Sequence, residues 1–449
     1  MSRFLGCLVP VALLLVATYS QAQTITTFPF DQTTSWVYPD SRFSIGAEGD
    51  IWFVLGEPLR LMRIHEGQLG CAYETATYGQ WYVDVIVAPD GTMYIDNFQY
   101  EFSLEPGITG TGVIQPSFAW HIILFKGTID ANGRMFCVVG PAIWQDPYDY
   151  NIYELYRNAS YQCRIILRNI NSIVPVSAEE FWIVNAYSAP HHHPPPSLLR
   201  LNLDTGQVEA SYTIGGGAPD LFAKDSEGRL WMAEENIAYF DGESFVAFAR
   251  PPEGARGQYR SVSLAADGAV WAVLCLSTPP PFEWDVVRFN GDQRRFFTPQ
   301  DGLLASGIPW PPLIDYDGNV WVMHYDGISM ISDGGWPPMR LMLHPAETPE
   351  SISVEAQVIN NGPVVGVVIY LALEMNGQLL FWPSWQPAPC PVQVNLRPGH
   401  NQTATIISAP RSSIPPGSYT FWGCMTGRNT QKLIGPLDRK FESLTIRVN

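Results

Sequence analysis

Leu313-Ile314-Asp315-Tyr316-Asp317-Gly318-Asn319-Val320-Trp321-Val322-Met323 decides the fold. It reads as a strand, an Asp-Gly turn and a second strand, with an aromatic three residues after the turn glycine. Glycine suits such a reversal because it takes the positive φ that other residues resist. The phrase recurs along the chain as Glu48-Gly49-Asp50-Ile51-Trp52, Asp90-Gly91-Thr92-Met93-Tyr94 and Asn132-Gly133-Arg134-Met135-Phe136. A copy lacking the glycine follows at Glu179-Glu180-Phe181-Trp182, and the pattern returns at Glu227-Gly228-Arg229-Leu230-Trp231 and Asp267-Gly268-Ala269-Val270-Trp271. Counted with the opening stretch, the aromatics fall at 52, 94, 136, 182, 231, 271 and 321.

The gaps between those aromatics are 42, 42, 46, 49, 40 and 50 residues. A repeat of roughly 40 to 50 residues suits propeller blades, and helical repeats of that length would need a 3.6-residue period. Alternation and turn signals stand there instead. The large ring on the second strand of each unit fills the wedge between neighbouring blades. Further turns at Asp204-Thr205-Gly206, Asp241-Gly242 and Asn290-Gly291 mark hairpins between third and fourth strands. The expected architecture is all-β: a seven-bladed β-propeller over 23–337, followed by a C-terminal β-sandwich over 338–449. Thr24 to Phe30 or Met339 to Leu343 could supply the outer strand that closes the ring.

The phrase D-x-x-G-x-φ-W, as in Asp225-Ser226-Glu227-Gly228-Arg229-Leu230-Trp231, resembles the repeats of bacterial two-component-regulator-type propellers. The resemblance covers about residues 40 to 336. It implies an extracytoplasmic sensor-like propeller and at most the binding half of such a system. Propellers host many functions, so it implies no activity. Beyond Trp336-Pro337-Pro338, alternating segments at 351–360, 366–374, 377–382, 401–409 and 417–424 resemble an immunoglobulin-like sandwich, with a hairpin at Met375-Asn376-Gly377-Gln378. That resemblance implies a spacer or attachment module.

Composition bounds the function. The chain has 449 residues, 46% hydrophobic and 15% charged, with a formal charge of −17. That is ample for a core, and the absence of a Lys/Arg cluster argues against a nucleic-acid partner. Residues 1–22 read as a signal peptide: Arg3, the apolar run Phe4 to Ala17, and small residues at Ser20 and Ala22 before the cleavage point. Secreted or periplasmic placement follows, with no transmembrane helix expected in the mature chain. Export permits disulfides. No C-x-x-C pair occurs; Cys390 and Cys424 are the first pair expected, and Cys137 and Cys275 are expected as buried thiols.

Site candidates come from the loop face, opposite the Asp-Gly turns. Arg42, Asp84, His121, Asp220 and Arg260 stand near the starts of inner strands, where polar side chains would ring the axis. Such a ring of acid, base and imidazole binds an anion, positions an acid–base pair or merely hydrates the channel mouth. Trp284 and Trp310 lie in aromatic, proline-rich loops of a kind that suits protein, peptide or carbohydrate ligands. His191-His192-His193 are the metal candidates, read equally as incidental to a stiff loop before Pro194-Pro195-Pro196. Three adjacent side chains of an extended chain cannot all converge on one ion, so no metal site is assigned; no cofactor is predicted, and a divalent metal stays open as an alternative. The leading reading is a secreted or periplasmic binding protein. The alternative is a metal-dependent hydrolase or lyase acting at the propeller axis, a role in which gluconolactonase-like and streptogramin-lyase-like propellers look similar. Their site residues do not carry over position by position, and His121 and His324 are the histidines available for it.

Overall fold

The computed structural model describes residues 24–30, 43–46, 49–55, 60–74, 83–87, 93–97, 100–104, 123–129, 135–140, 151–155, 161–166, 170–175, 180–185, 196–202, 205–214, 220–252, 257–276, 284–305, 312–332, 335–428, 432–436 and 439–448. The protein is nearly all β. Among the described residues, seven small antiparallel sheets follow one another along the chain, and a three-stranded and a six-stranded sheet come after them.

Each small sheet begins with an innermost strand and continues outward, and in the fifth, sixth and seventh sheets the first reversal is the Asp-Gly phrase. The fifth is Asp220–Lys224, Leu230–Ala233, Ile237–Phe240 and Phe245–Ala249; the sixth is Gln258–Leu264, Val270–Cys275, Trp284–Asn290 and Gln293–Phe297. The second has three strands among the described residues. Inner strands of successive sheets touch one another, which is the arrangement of propeller blades.

The ring closes in the seventh sheet. Leu313–Ile314, Val320–His324 and Gly327–Ser332 supply three strands, and Thr24–Pro29 supplies the fourth, pairing antiparallel from Thr24 with Ser332 to Pro29 with Gly327. The alternative closing segment does something else: Met339–Glu347 pairs with Ser351–Asn360 in the C-terminal region. An apolar cluster of Phe28, Trp321, Met323 and Ile328 with Ile51, Phe53 and Leu55 joins the seventh sheet to the first. Strand alternation makes this work, since odd and even positions face opposite neighbours. Trp321 and Met323 face the first sheet, whereas Val320 and Val322 join Trp271 and Phe297 of the sixth.

The C-terminal strands form a three-stranded sheet (Met339–Glu347, Ser351–Asn360, His400–Pro410) and a six-stranded one centred on Val365–Met375 and Gly417–Gly427. Both bury side chains in one shared core, including Val354, Val367, Leu371, Phe421 and Ile446. The predicted hairpin is present, with Asn376 at φ 53° and Gly377 at φ 75°. Cys390 and Cys424, expected as a pair, stand as free thiols. Cys424 lies on the strand along one edge of Val365–Met375, opposite Tyr370, and Cys390 just precedes Val392–Leu396 along the other edge. Two strand spacings, roughly 9–10 Å, therefore separate them, beyond the roughly 7 Å between Cα atoms that a disulfide tolerates.

These C-terminal strands sit on the turn end of the ring. In the fifth sheet, the Ser226 amide donates to Asn361 Oδ1 (2.7 Å) and the Ser226 carbonyl accepts from Asn401 Nδ2 (3.0 Å). In the sixth, Asn361 Nδ2 donates to the Ala265 carbonyl (2.9 Å) and the Ala266 amide donates to Pro337 (2.8 Å). In the seventh, the Tyr316 carbonyl accepts from the Gly435 amide (2.9 Å), and Asp317 pairs with Lys440 and with Lys432 (3.3 Å). The Lys432 side chain also lies against Gly49 of the first sheet.

Candidate functional site

The Asp-Gly phrase itself is structural, and its chemistry is now explicit. Asp225 Oδ1 accepts from the Glu227 and Arg229 amides (3.0 and 2.9 Å), and Oδ2 accepts from Arg229 Nε (2.6 Å) and the Trp231 indole (2.7 Å). Asp315 repeats this with the Asp317 and Asn319 amides (2.8 and 2.9 Å), Asn319 Nδ2 (3.0 Å) and the Trp321 indole (2.8 Å). One buried carboxylate thus ties the turn to the aromatic wedge. Burial pushes the Asp315 carboxyl above the usual range, while its indole and amide donors pull it back. In the first sheet Gly46 takes this place, and the Trp52 indole occupies the space a side chain there would need. Asp50 of that sheet instead binds Arg63 (Nε, 2.7 Å) and His65 Nδ1 (2.6 Å). In the fourth sheet Glu180 accepts from the Trp182 indole at 2.7 Å, replacing the acid of the degenerate copy.

The opposite, loop-bearing end carries the candidate site. Asp84 is the second residue of Val83–Val87 and Asp220 the first of Asp220–Lys224, so both stand at that end as expected. Arg260 is exposed in Gln258–Leu264, where the ladder slips register between Tyr259 and Ser261. Trp284 opens Trp284–Asn290, half-buried and paired with Cys275. Arg260 and Trp284 therefore share the sixth sheet, whereas Asp84 and Asp220 belong to the second and fifth. Arg42, His121, Trp310, His191, His192 and His193 lie outside the described residues.

A feature that the sequence hinted at only through His324 lies between the sixth and seventh sheets at this end. His324 ends its strand and is 3% exposed. It faces the sixth sheet, the side taken by Val320 and Val322 two and four residues before it. Cys275, also buried, follows Trp271 by four residues and so faces back into the same gap. Ser261 pairs with Val273 and faces the same way. The His324 Nε2, Ser261 Oγ and Asp326 Oδ1 atoms are buried without hydrogen-bond partners among the described residues. Burial pushes the imidazole down to about 4, against the pull of the Asp326 carboxylate toward the charged form. His324 is thus neutral near pH 7, with a nitrogen free to accept a proton or a hydrogen bond. Among the described residues no group of three or more His, Cys, Asp or Glu side chains is placed to hold a metal ion. Aligning the copies on their aromatics sets His324 level with Leu55, Asn97, Val139, Asn185, Glu234 and Leu274, a place with no fixed polarity, so the sequence does not single it out. Ser261 and Asp326 carry no signal either.

No protein-family model matches the chain, and no curated protein matches it in sequence. Solved structures do resemble it. A streptogramin B lyase is 16% identical with a TM-score of 0.53, over 70% of this chain and 99% of that one. A catalytically inactive virginiamycin B lyase from Staphylococcus aureus with quinupristin is 14% identical with a TM-score of 0.51, over 69% and 99%. The extracellular domain of the hybrid two-component system BT3049 from B. thetaiotaomicron is 13% identical at a TM-score of 0.49, over 94% of this chain and 57% of that one. At 16% and 14% identity the first two likenesses speak to the fold alone. No helix among the described residues is long and apolar enough to cross a membrane.

Proposed function

We propose that this chain is an exported binding protein. In this reading a leader over 1–22 precedes a seven-bladed propeller over 23–337 and an immunoglobulin-like sandwich over 338–449, and the product is secreted or periplasmic. Its loop-bearing end takes a protein, peptide or carbohydrate ligand. One observation carries the reading: the turn end of the fifth, sixth and seventh sheets is already occupied by the chain's own C-terminal strands. Approach from outside then falls to the other end, where Arg260 is exposed and Trp284 half-buried. An indole and a guanidinium supply contact area and directed donors.

The test uses the chain from residue 23 onward against immobilised glycan and peptide panels. Arg260→Ala and Trp284→Ala should each weaken the best hit about tenfold or more, the effect expected of an anchoring side chain. Arg411→Ala, in the C-terminal region, should leave it unchanged. If binding were indifferent to both loop-end changes, the ligand would lie elsewhere and the reading would fall.

His324 favours a second reading, a metal-dependent hydrolase or lyase at the propeller axis, in keeping with the fold shared with streptogramin lyases. A neutral, buried imidazole beside a carboxylate suits proton transfer or metal ligation. Metal analysis after exhaustive dialysis separates the two. A stoichiometric divalent ion lost in His324→Ala supports the enzyme; a metal-free protein indifferent to chelators supports binding.

A further inference from the structure

We propose that the C-terminal strands act as a second fastener of the ring, working in parallel with the closing strand Thr24–Pro29. They bridge the seam that this strand closes. On one side they hold the turns of the fifth, sixth and seventh sheets; on the other, Lys432 lies against Gly49 and Ile45 packs on their core, both in the first sheet. A tether on one sheet would be a spacer; a body joined to both sides of the seam resists its opening.

The contacts are directional. Asn361 is buried and spans two sheets with one amide, accepting from the Ser226 amide and donating to the Ala265 carbonyl. Its own amide donates to Pro338 (2.9 Å), and the neighbouring Asn360 shapes the loop through Pro363 (2.9 Å) and Arg397 (3.1 Å). Gly362 follows where a Cβ would strike the Pro338 ring. The loop 360–362 is thereby shaped to present Asn361 to backbone groups of the fifth and sixth turns. In the seventh sheet Asp317, a variable place in the phrase, is the one that meets Lys432 and Lys440.

Two parallel fasteners predict coupling. Ile25→Pro weakens the closing strand, where Ile25 pairs with Ile331, and Asn361→Ala weakens the C-terminal grip. Hydrogen exchange of amides 320–332 in the full chain reads seam opening. Each single change should speed exchange several-fold, and the double change should exceed the product of the two by at least tenfold. A double equal to that product would overturn the proposal. Because the double variant could fail to fold, a second measurement stands beside it. A protease site placed at Gly334 and cut in the folded protein should leave the two pieces co-eluting on gel filtration; separation into two species would overturn it as well.

Discussion

At the residue scale, Asp225 and Asp315, buried acids of the repeat, carry more than their turns. Asp225 and Asp315 each hold four donors, one of them a buried indole. Removing either acid orphans those donors, and each buried donor left without a partner costs about 1–3 kcal/mol. Asp225→Ala and Asp315→Ala should therefore lower the urea midpoint strongly. Asp241→Ala, at an exposed turn, should change it little. His324 adds a pH dependence of known sign. Burial lowers its folded value from 6.5 to about 4, so the unfolded chain takes up the proton first. The stability this neutral form contributes is complete above about 6.5 and declines as pH falls toward 4, by at most about 3 kcal/mol. Denaturation of wild type and His324→Leu across that window should show a steeper decline in wild type, since His400, also lowered by burial, is present in both. Equal slopes would mean that His324 is not the titrating group.

At the element scale, the turns separate conformational strain from collision. Gly268 and Gly318 both adopt positive φ, 85° and 81°. A side chain at Gly268 would meet open space, whereas one at Gly318 would run into the backbone of Gly335. Gly268→Ala should cost about 1–2 kcal/mol, the left-handed penalty alone. Gly318→Ala should cost clearly more and loosen the C-terminal strands, seen as earlier proteolysis after residue 337. The elements were legible in sequence for a reason that the turns make plain: period-2 alternation and turn glycines are local signals, and Asn376-Gly377 folds as its dipeptide demands. The strands Val392–Leu396, Leu433–Ile434 and Glu442–Val448 were not legible, being short or bounded by less telling turns. The pairing of Cys390 with Cys424 misled for a related reason. Sequence proximity says nothing of which edge of a central strand each cysteine joins.

At the scale of the whole molecule, the burial of thiols tests the packing. Cys71 is exposed, Cys275 is buried, and burial pushes the Cys424 thiol up to about 12. Maleimide labelling of the native protein, mapped by mass spectrometry, should modify Cys71 within minutes and leave Cys275 and Cys424 untouched until urea is added. Early labelling of Cys275 would mean that the gap beside His324 opens in the native state. The site was less legible than the fold because it depends on which sheet each side chain faces. Ser261 and His324 are sixty-three residues apart, and only the ring brings their sheets together. The closing strand has a last consequence, one of timing. Thr24 emerges from the ribosome early, yet its partner Ser332 comes near the end of the ring. Until then the nascent chain is an open arc with an unpaired edge at its leading strand, a long-range pairing that is slow to form. A chaperone that shields that edge during synthesis would protect this protein more than one acting after release.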